Sequence, residues 1–293
     1  DGDGIGDTPY VVDGDTQDRY PFFLGLNNNF APVALFTVSD LYGGTSTLFT
    51  ADASVATDFE DGTDVLEVRW DWDGDGSWDV DWSTDKSAGH TYSAPGIYTV
   101  VLEVRDSGGL TDMFELEVAV DDEAPSTTVS YHGTEGSSGY FVSEVGFSLS
   151  PADDYSGVEV TMYSVDQGRW EAYDGEVTVS GEGPHTIEFY SVDRSGNAEP
   201  VQSSEVMVDT VSPVTACVVS GLQGTGGWLT GDVSIAVSAE DATSGVASVL
   251  VSVDGSAWSA YSGPVTLDDG THEVLYTAVD AAGNTAAEGS VTV

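Results

Sequence analysis

The segment Val208-Asp209-Thr210-Val211-Ser212-Pro213 joins one alternating strand pattern to the next and so decides how the chain is divided. A near-copy, Val120-Asp121-Asp122-Glu123-Ala124-Pro125, lies 88 positions earlier. Proline fixes its own φ, has no N–H to donate and favours an extended conformation in the preceding residue. Both segments are therefore predicted to be short, stiff connectors between β domains.

The connectors also place carboxylates at the predicted joints. Asp121, Asp122 and Asp209 offer several oxygens that could hold a divalent cation and set the angle between neighbouring domains. A solvated acidic linker would have the same composition. The sequence leaves both interpretations open.

Composition excludes several classes of function. The chain has 293 residues, which suits two to four domains, and a hydrophobic content of 40% is enough for packed cores. Against 51 acidic residues there are only 6 Lys or Arg, giving a formal charge of −45. Nucleic acid and anionic membranes are therefore poor partners. Adaptation to high salt and loading with divalent cations both remain as explanations.

Cys217 is the only cysteine, so the chain can form no internal disulfide. Bound metal is a common substitute for disulfides in secreted domains. The thiol itself is predicted to be a small buried apolar group. No apolar run is long enough to cross a membrane, so we expect no membrane insertion within this chain.

Residues 1–30 are predicted to form an acidic stub that resembles a calcium loop. Asp1, Asp3 and Asp7 alternate with glycines at a spacing that would wrap Ca²⁺, although an Asp-Gly-rich turn is the alternative. The run from Asp7-Thr8-Pro9-Tyr10 to Asp18-Arg19-Tyr20-Pro21 resembles the closing segment of right-handed β-helix domains in large archaeal surface proteins. That resemblance implies a further domain before residue 1.

Residues 31–122 alternate in hydrophobicity with a period of two and show no sustained helical period. Strands are predicted at Thr47–Ala51, Val65–Trp72, Tyr98–Val104 and Met113–Val120. This pattern predicts an all-β domain.

A specific motif occupies the centre of this segment. Trp70-Asp71-Trp72-Asp73-Gly74-Asp75-Gly76 is followed by His90-Thr91-Tyr92 and Gly96-Ile97-Tyr98. The segment resembles a polycystic-kidney-disease (PKD) domain from end to end. That resemblance implies an immunoglobulin-like β-sandwich.

The acids of the motif suggest a second metal site. Asp71, Asp73, Asp75 and Asp79 could form a Ca²⁺ loop around a hairpin turn, and a solvated acidic turn is the alternative. The tryptophans of the segment could stack on sugars, but tryptophan in a sandwich more often belongs to the core. They are Trp70, Trp72, Trp78 and Trp82.

Residues 123–210 and 211–293 form an internal repeat, which predicts two tandem sandwiches. Pro125, Asp166, Trp170, Tyr173, His185, Asp193 and Asn197 recur as Pro213, Asp254, Trp258, Tyr261, His272, Asp280 and Asn284. Both copies resemble the immunoglobulin-like repeats of large prokaryotic surface proteins. They resemble equally the accessory β-sandwich of some secreted glycosidases.

Each copy ends in Asp-x-x-Gly-Asn, at 193–197 and 280–284, and carries another acidic loop. The resemblance to surface proteins implies Ca²⁺ near the domain junctions, whereas Asp-x-x-Gly-Asn is also simply a good turn. Hard carboxylate and amide oxygens would select Ca²⁺ over softer metals. The candidate ligands are Asp153, Asp154, Asp193, Asn197, Asp209, Asp241, Asp280 and Asn284.

No motif for nucleophilic, phosphate-binding or zinc chemistry occurs, and the four histidines are scattered. The chain is therefore predicted to be no enzyme. The expected function is that of an extracellular structural or adhesive cell-surface protein, such as a segment of an S-layer, stalk or fibre. Its sandwiches would form an elongated rod that Ca²⁺ stiffens, with other copies of itself or neighbouring surface proteins as partners.

The sequence allows two alternative functions. The chain could be the carbohydrate-binding accessory region of a secreted hydrolase, with glycans as partners. It could also be a filament subunit that assembles by strand addition, with Gly289–Val293 as the donated strand.

Overall fold

The computed structural model describes residues 10–12, 16–18 and 29–293, and the regular structure there consists of β-strands. The first unit contains β1 (Tyr10–Val12), β2 (Thr16–Asp18), β3 (Thr37–Val38), β4 (Tyr42–Gly43), β5 (Phe49–Asp52), β6 (Glu67–Asp71), β7 (Val80–Ser83), β8 (Ser87–His90), β9 (Gly96–Arg105) and β10 (Thr111–Val120). The second unit begins with β11 (Ser126–His132), β12 (Tyr140–Phe141), β13 (Val145–Ala152), β14 (Val158–Val165), β15 (Glu171–Ala172), β16 (Val177–Val179), β17 (Gly183–Asp193) and β18 (Gln202–Val208). It continues with β19 (Val214–Gln223), β20 (Leu229–Glu240), β21 (Val246–Val253), β22 (Ser259–Ala260), β23 (Val265–Leu267), β24 (Glu273–Asp280) and β25 (Gly289–Thr292).

The first compact unit spans Asp1–Asp122. Its five-stranded sheet has the order β4-β10-β9-β6-β7, and its three-stranded sheet has the order β3-β5-β8. Only the short β4 runs parallel to its neighbour, β10, and the other pairs are antiparallel. Side chains from both sheets, including Phe49, Trp70, Trp72 and Leu102, form the core between them.

The second compact unit, Glu123–Val293, contains two sandwiches with separate cores. The first combines β11-β13-β16 with β12-β18-β17-β14-β15. The second combines β19-β20-β23 with β22-β21-β24-β25. The all-β class and the sandwich architecture expected from the period-two pattern are thus confirmed.

The strand proposed for donation is already used within its own sandwich. Residues Gly289–Thr292 form β25, which pairs antiparallel with β24, with Val291 opposite Val274. Donating this strand would expose the core residue Val274, which is fully buried. Strand addition through β25 would therefore require part of the sandwich to open.

Candidate metal centres

Three carboxylates meet where the two sandwiches of the second unit join. Asp209 follows β18, Asp241 follows β20, and Asp280 ends β24. One oxygen from each lies within 4.8 Å of the others. Asp209 and Asp280 are 0% and 2% exposed, and Asp241 is half-buried. We refer to these three residues as the linker cluster.

The loops of the linker cluster fold around the carboxylates themselves. Oδ1 of Asp241 accepts hydrogen bonds from the N–H groups of Thr243 at 3.1 Å and Gly245 at 2.8 Å. Oδ1 of Asp280 accepts from Gly283 at 2.6 Å and Asn284 at 2.8 Å. Gly283 has a φ of 102°, a conformation that favours glycine, which explains its place in the Asp-x-x-Gly-Asn motif.

Asp209 connects the linker to both sandwiches. Its N–H donates to the carbonyl of Phe141, in the preceding sandwich, at 2.9 Å. Its Oδ2 accepts from the N–H of Ser244 at 3.1 Å, and its carbonyl accepts from Nδ2 of Asn284 at 2.9 Å. A second contact spans the joint, where the N–H of Ser137 donates to the carbonyl of Ala282 at 2.6 Å.

The linker cluster concentrates negative charge without a protein counter-charge. None of its members forms an ion pair within residues 29–293, and residues 211–293 contain no Lys or Arg. A buried charge is costly unless it is paired, hydrogen-bonded or bound to a metal. Three carboxylates within reach of one another offer the hard oxygen donors that Ca²⁺ prefers. The donor set therefore fits Ca²⁺.

A second group of three carboxylates lies at the β6–β7 turn of the first unit. Oxygens of Asp71, Asp73 and Asp79 lie within 4.8 Å of one another. Asp71 is buried, and its two oxygens accept from the N–H groups of Gly74 at 2.8 Å and Gly76 at 2.9 Å. Asp71 thus shapes the turn, while Asp73 and Asp79 are exposed.

Tyr92 closes the inner side of this turn. Its hydroxyl donates to the carbonyl of Trp72 at 2.6 Å. Burial raises the pKa of Tyr92, and the charges of Asp73, Tyr98, Asp79 and Asp71 raise it further. The phenol therefore stays protonated and keeps its role as a donor.

Several predicted ligands lie apart from these two groups. Asp75 is exposed and accepts from the N–H of Ser77 at 2.7 Å. Asp122 is exposed and accepts from the hydroxyl of Thr45 at 2.6 Å, and Asp154 is exposed. Asp1, Asp3 and Asp7 lie outside the described residues.

The first copy of the repeat builds the same loops as the second. Oδ1 of Asp153 accepts from the N–H of Gly157 at 2.6 Å, as Asp241 does from Gly245. Asp193 is buried and accepts from the N–H of Asn197 at 2.7 Å and from its Nδ2 at 2.8 Å. Asp121, at the end of the first unit, is 1% exposed, and its N–H donates to the carbonyl of Gly43 at 2.8 Å.

The proposed tryptophan platform is not formed. Trp70 and Trp72 are each 1% exposed and stack on one another in the core, which confirms the packing interpretation and removes them as sugar contacts. Trp78 is half-buried, with the guanidinium of Arg69 3.9 Å from its ring centroid. The same guanidinium lies 4.5 Å from the ring of Trp82, so Arg69 covers faces that a sugar would need.

Another tryptophan, which the sequence reasoning missed, lies beside a cavity. Trp228 is 63% exposed and lines a cavity of about 380 Å³ in the last sandwich. Asp268, Asp269 and His272 form its polar side. The sequence did contain a signal: Trp228 directly follows Gly226 and Gly227, in the turn of a hairpin. A side chain in such a turn belongs to the core less often than one within a strand.

Residues 29–120 match the family model of the PKD domain. The chain therefore contains a PKD domain, as the Trp-Asp motif and the His-x-Tyr segment predicted. No curated protein matches the chain.

The chain is similar to several solved structures, each at a TM-score below 0.5. The PKD1 domain of the Vibrio cholerae metalloprotease PrtV shares 24% identity over 31% of this chain and 99% of its own, with a TM-score of 0.26. Fibronectin(III)-like modules of Clostridium thermocellum CbhA share 19% identity over 59% of this chain and 94% of their own, with a TM-score of 0.32. A tetra-tandem repeat from the extending region of a large adhesion protein shares 18% identity over 90% of this chain and 74% of its own, with a TM-score of 0.29.

PKD domains are typical of extracellular proteins. Across residues 10–12, 16–18 and 29–293, no helix has the length and apolarity needed to span a membrane.

Proposed function

We propose that this chain is an extracellular structural segment of a cell surface, such as part of an S-layer, stalk or fibre. Its joints would be stiffened by Ca²⁺, and its partners would be neighbouring surface proteins. The observation that supports this proposal best is the linker cluster. Asp209 lies on the connector itself, while Asp241 and Asp280 belong to the following sandwich.

A cation in the linker cluster would act on the joint in two ways. It would draw the connector towards two loops of the next sandwich, and it would neutralise carboxylates that have no protein counter-charge. An ion that binds only the folded state stabilises it by about 2.7 kcal/mol when its concentration is a hundredfold above its Kd. For a chain with no disulfide, that is a substantial part of the free energy of unfolding.

Calcium calorimetry and thermal unfolding of the whole chain test this proposal. We expect Ca²⁺ to bind and to raise the Tm of the second unit, and a chelator at fixed ionic strength to reverse the rise. Asp241→Asn keeps Oδ1 for the bonds from Thr243 and Gly245 but removes one charged ligand. It should weaken binding about tenfold or more, which is about 1.4 kcal/mol of lost stabilisation.

The matched control is Asp232→Asn, which removes an exposed charge from the same sandwich outside the cluster. It should leave the calcium response unchanged. Equal Tm values with Ca²⁺ and with chelator, or equal losses in the two variants, would contradict a calcium-bound linker cluster.

A second candidate function, glycan binding, is favoured by the cavity beside Trp228. An exposed indole offers a stacking face, and the side chains of Asp268 and Asp269 could accept hydrogen bonds from sugar hydroxyls. Binding of soluble polysaccharides to the whole chain would be measured by calorimetry. This function would be supported if Trp228→Ala abolished binding and Trp258→Ala preserved it. Trp258 is the control because it is another exposed tryptophan, at 42%. If none of the polysaccharides gave a heat of binding, glycan binding would be excluded for those polysaccharides.

A further inference from the structure

Strand β19 is an edge strand with apolar side chains on its outer face. In the sheet order β19-β20-β23, only one of its edges is paired within the described residues. Val214, Val218 and Leu222 are 73%, 60% and 72% exposed, while the alternate residues Cys217 and Val219 pack on the core. The strand therefore carries apolar side chains on both faces of its sheet, towards the core and towards solvent.

This strand also lies in the longest stretch of the chain without a charged side chain, from Thr210 to Gly231. Edge strands in proteins are normally protected from pairing by charges, prolines, bulges or short length. β19 has 10 residues, and none of them is charged or proline. The irregularity of the β19–β20 ladder lies between Ser220 and Leu222 and places the extra residues on β20 rather than on the edge strand.

The first copy of the repeat provides an internal comparison. Its strand β11 occupies the same edge position, in the order β11-β13-β16. The exposed residues of β11 are polar, and each aligns with a residue of β19 at the 88-position offset. Ser126, Thr128, Ser130 and His132 correspond to Val214, Ala216, Val218 and Ser220. The apolar outer face thus belongs to the second copy alone.

We propose that β19 is a self-association surface, at which the β19 strands of two copies of this chain pair antiparallel about a two-fold axis at Val218. In that register Val214 lies opposite Leu222, Ala216 opposite Ser220, and Val218 opposite its own copy. Every outward pair is then uncharged, and the largest side chains cover each other. The two three-stranded sheets become one continuous six-stranded sheet.

The uncharged length of β19 is the part of the surface at which a second copy meets the least repulsion. A basic partner is attracted to carboxylates, and β19 has none. Two copies, each with a formal charge of −45, repel along most of their surface but can approach along an uncharged strand. Added salt screens that repulsion, so self-association should strengthen as salt rises. An interface held by ion pairs would weaken instead.

Sedimentation velocity of the whole chain over a concentration series, with and without Ca²⁺, tests this proposal. We expect a dimer that tightens with salt and persists in chelator, because β19 contains no metal ligand. Val214→Ser combined with Val218→Ser, which introduces the residue type found in β11, should raise the dimer Kd about tenfold or more. Val201→Ser removes another exposed valine, 55% exposed, from the same unit and should leave the Kd unchanged.

A charge exchange at the two-fold axis gives the sharper test. Val218→Asp alone and Val218→Lys alone each place like charges opposite one another, so both variants should stay monomeric. An equal mixture places Asp opposite Lys and should restore dimers. Circular dichroism spectra matching those of the unchanged chain would show that the variants are folded, since Val218 points away from the core.

Three results would overturn the proposal. The unchanged chain could stay monomeric at the highest concentration and salt, Val218→Asp could dimerise as well as the unchanged chain, or the Asp and Lys mixture could fail to pair. Independence from chelator separates this surface from the calcium proposal, since failure of one leaves the other standing.

Discussion

At the residue scale, His272 and Asp254 form a hydrogen-bonded pair that supports a turn in the last sandwich. Nδ1 of His272 lies 2.8 Å from Oδ2 of Asp254, and its Nε2 lies 3.0 Å from the carbonyl of Asp268. Asp254 has a φ of 51°, and its Oδ1 accepts from the N–H of Glu273 at 2.9 Å. The first copy repeats the pair as His185 and Asp166, 2.7 Å apart.

This pair predicts that the stability of the folded chain depends on pH. The hydrogen bond to Asp254 raises the pKa of His272 above its ordinary value of 6.5, and the bond from His272 lowers the pKa of Asp254 below 3.8. The stabilisation that the pair gains from protonated His272 is complete below pH 6.5, and it is lost as the pH rises through the pKa of His272 in the folded chain. The aspartate contribution is present above pH 3.8 and is lost as pH falls through the folded pKa.

His272→Gln should therefore lower the Tm more near pH 5 than near pH 9, as measured by calorimetry. The control is His132→Gln, an exposed histidine whose one hydrogen bond, at 3.0 Å, is to the hydroxyl of Ser148. It serves as the reference substitution at both pH values. A Tm loss for His272→Gln that is equal at both pH values would contradict a charged pair.

At the residue scale, the surroundings of Cys217 also account for the state of its thiol. Burial raises the pKa of Cys217, so the group stays a thiol at neutral pH. Its side chain packs against the core of the last sandwich. The thiol is thus half-buried against the core rather than fully buried as predicted.

At the scale of elements, the strand pattern was predictable and the strand ends were less so. The alternation predicted Met113–Val120 and Tyr98–Val104, and the structure has Thr111–Val120 and Gly96–Arg105. Cross-strand pairing extends both strands, since Thr111 pairs with Arg105 and Val120 with Gly96. A pattern read along one strand contains no information about the length of its partner.

The short parallel strands were not predictable for a related reason. β4 consists of Tyr42 and Gly43 alone, paired with the end of β10. Two residues give no periodicity, and this parallel pairing depends on the chain crossing from one sheet to the other.

The difference between β19 and β11 also belongs to this scale. Both strands have the same inward pattern and the same place in the sheet, because both copies build the same core. The outer faces are free to diverge, and the apolar residues of β19 are visible in the sequence. Only the sheet order shows that they lie on an unpaired edge.

At the scale of the whole molecule, charge and cations act together. A formal charge of −45 on 293 residues opposes compaction through self-repulsion. Ca²⁺ bound in the linker cluster would reduce that repulsion where two sandwiches join. Stiffness of the joint is then expected to depend on the ion.

Small-angle scattering with Ca²⁺ and then with chelator, at one high ionic strength, tests this expectation. We predict that chelation broadens the distribution of interatomic distances, because the joint samples more angles. Asp241→Asn in the presence of Ca²⁺ should move the curve in the same direction. Mg²⁺ at equal concentration is the control for divalent charge, since it demands a stricter octahedral geometry. Superimposable curves in all conditions would refute cation-dependent stiffness.

The sequence by itself determined the β class, the PKD motif and the internal repeat. These properties follow from local alternation, turn residues and an offset of 87 or 88 positions, which are all readable along one chain. It also provided every member of both carboxylate groups. It could not separate Asp209, Asp241 and Asp280, which converge, from Asp75, Asp122 and Asp154, which do not.

Only the tertiary structure decided which of those acids share a site, which tryptophans are buried and which edge of β19 is open. Convergence of residues 71 positions apart, such as Asp209 and Asp280, depends on how strands are ordered within sheets and how two sandwiches meet. Those arrangements are set by packing between distant segments. One-dimensional patterns do not encode them, because an Asp in a turn looks the same whether its neighbour is solvent or another carboxylate.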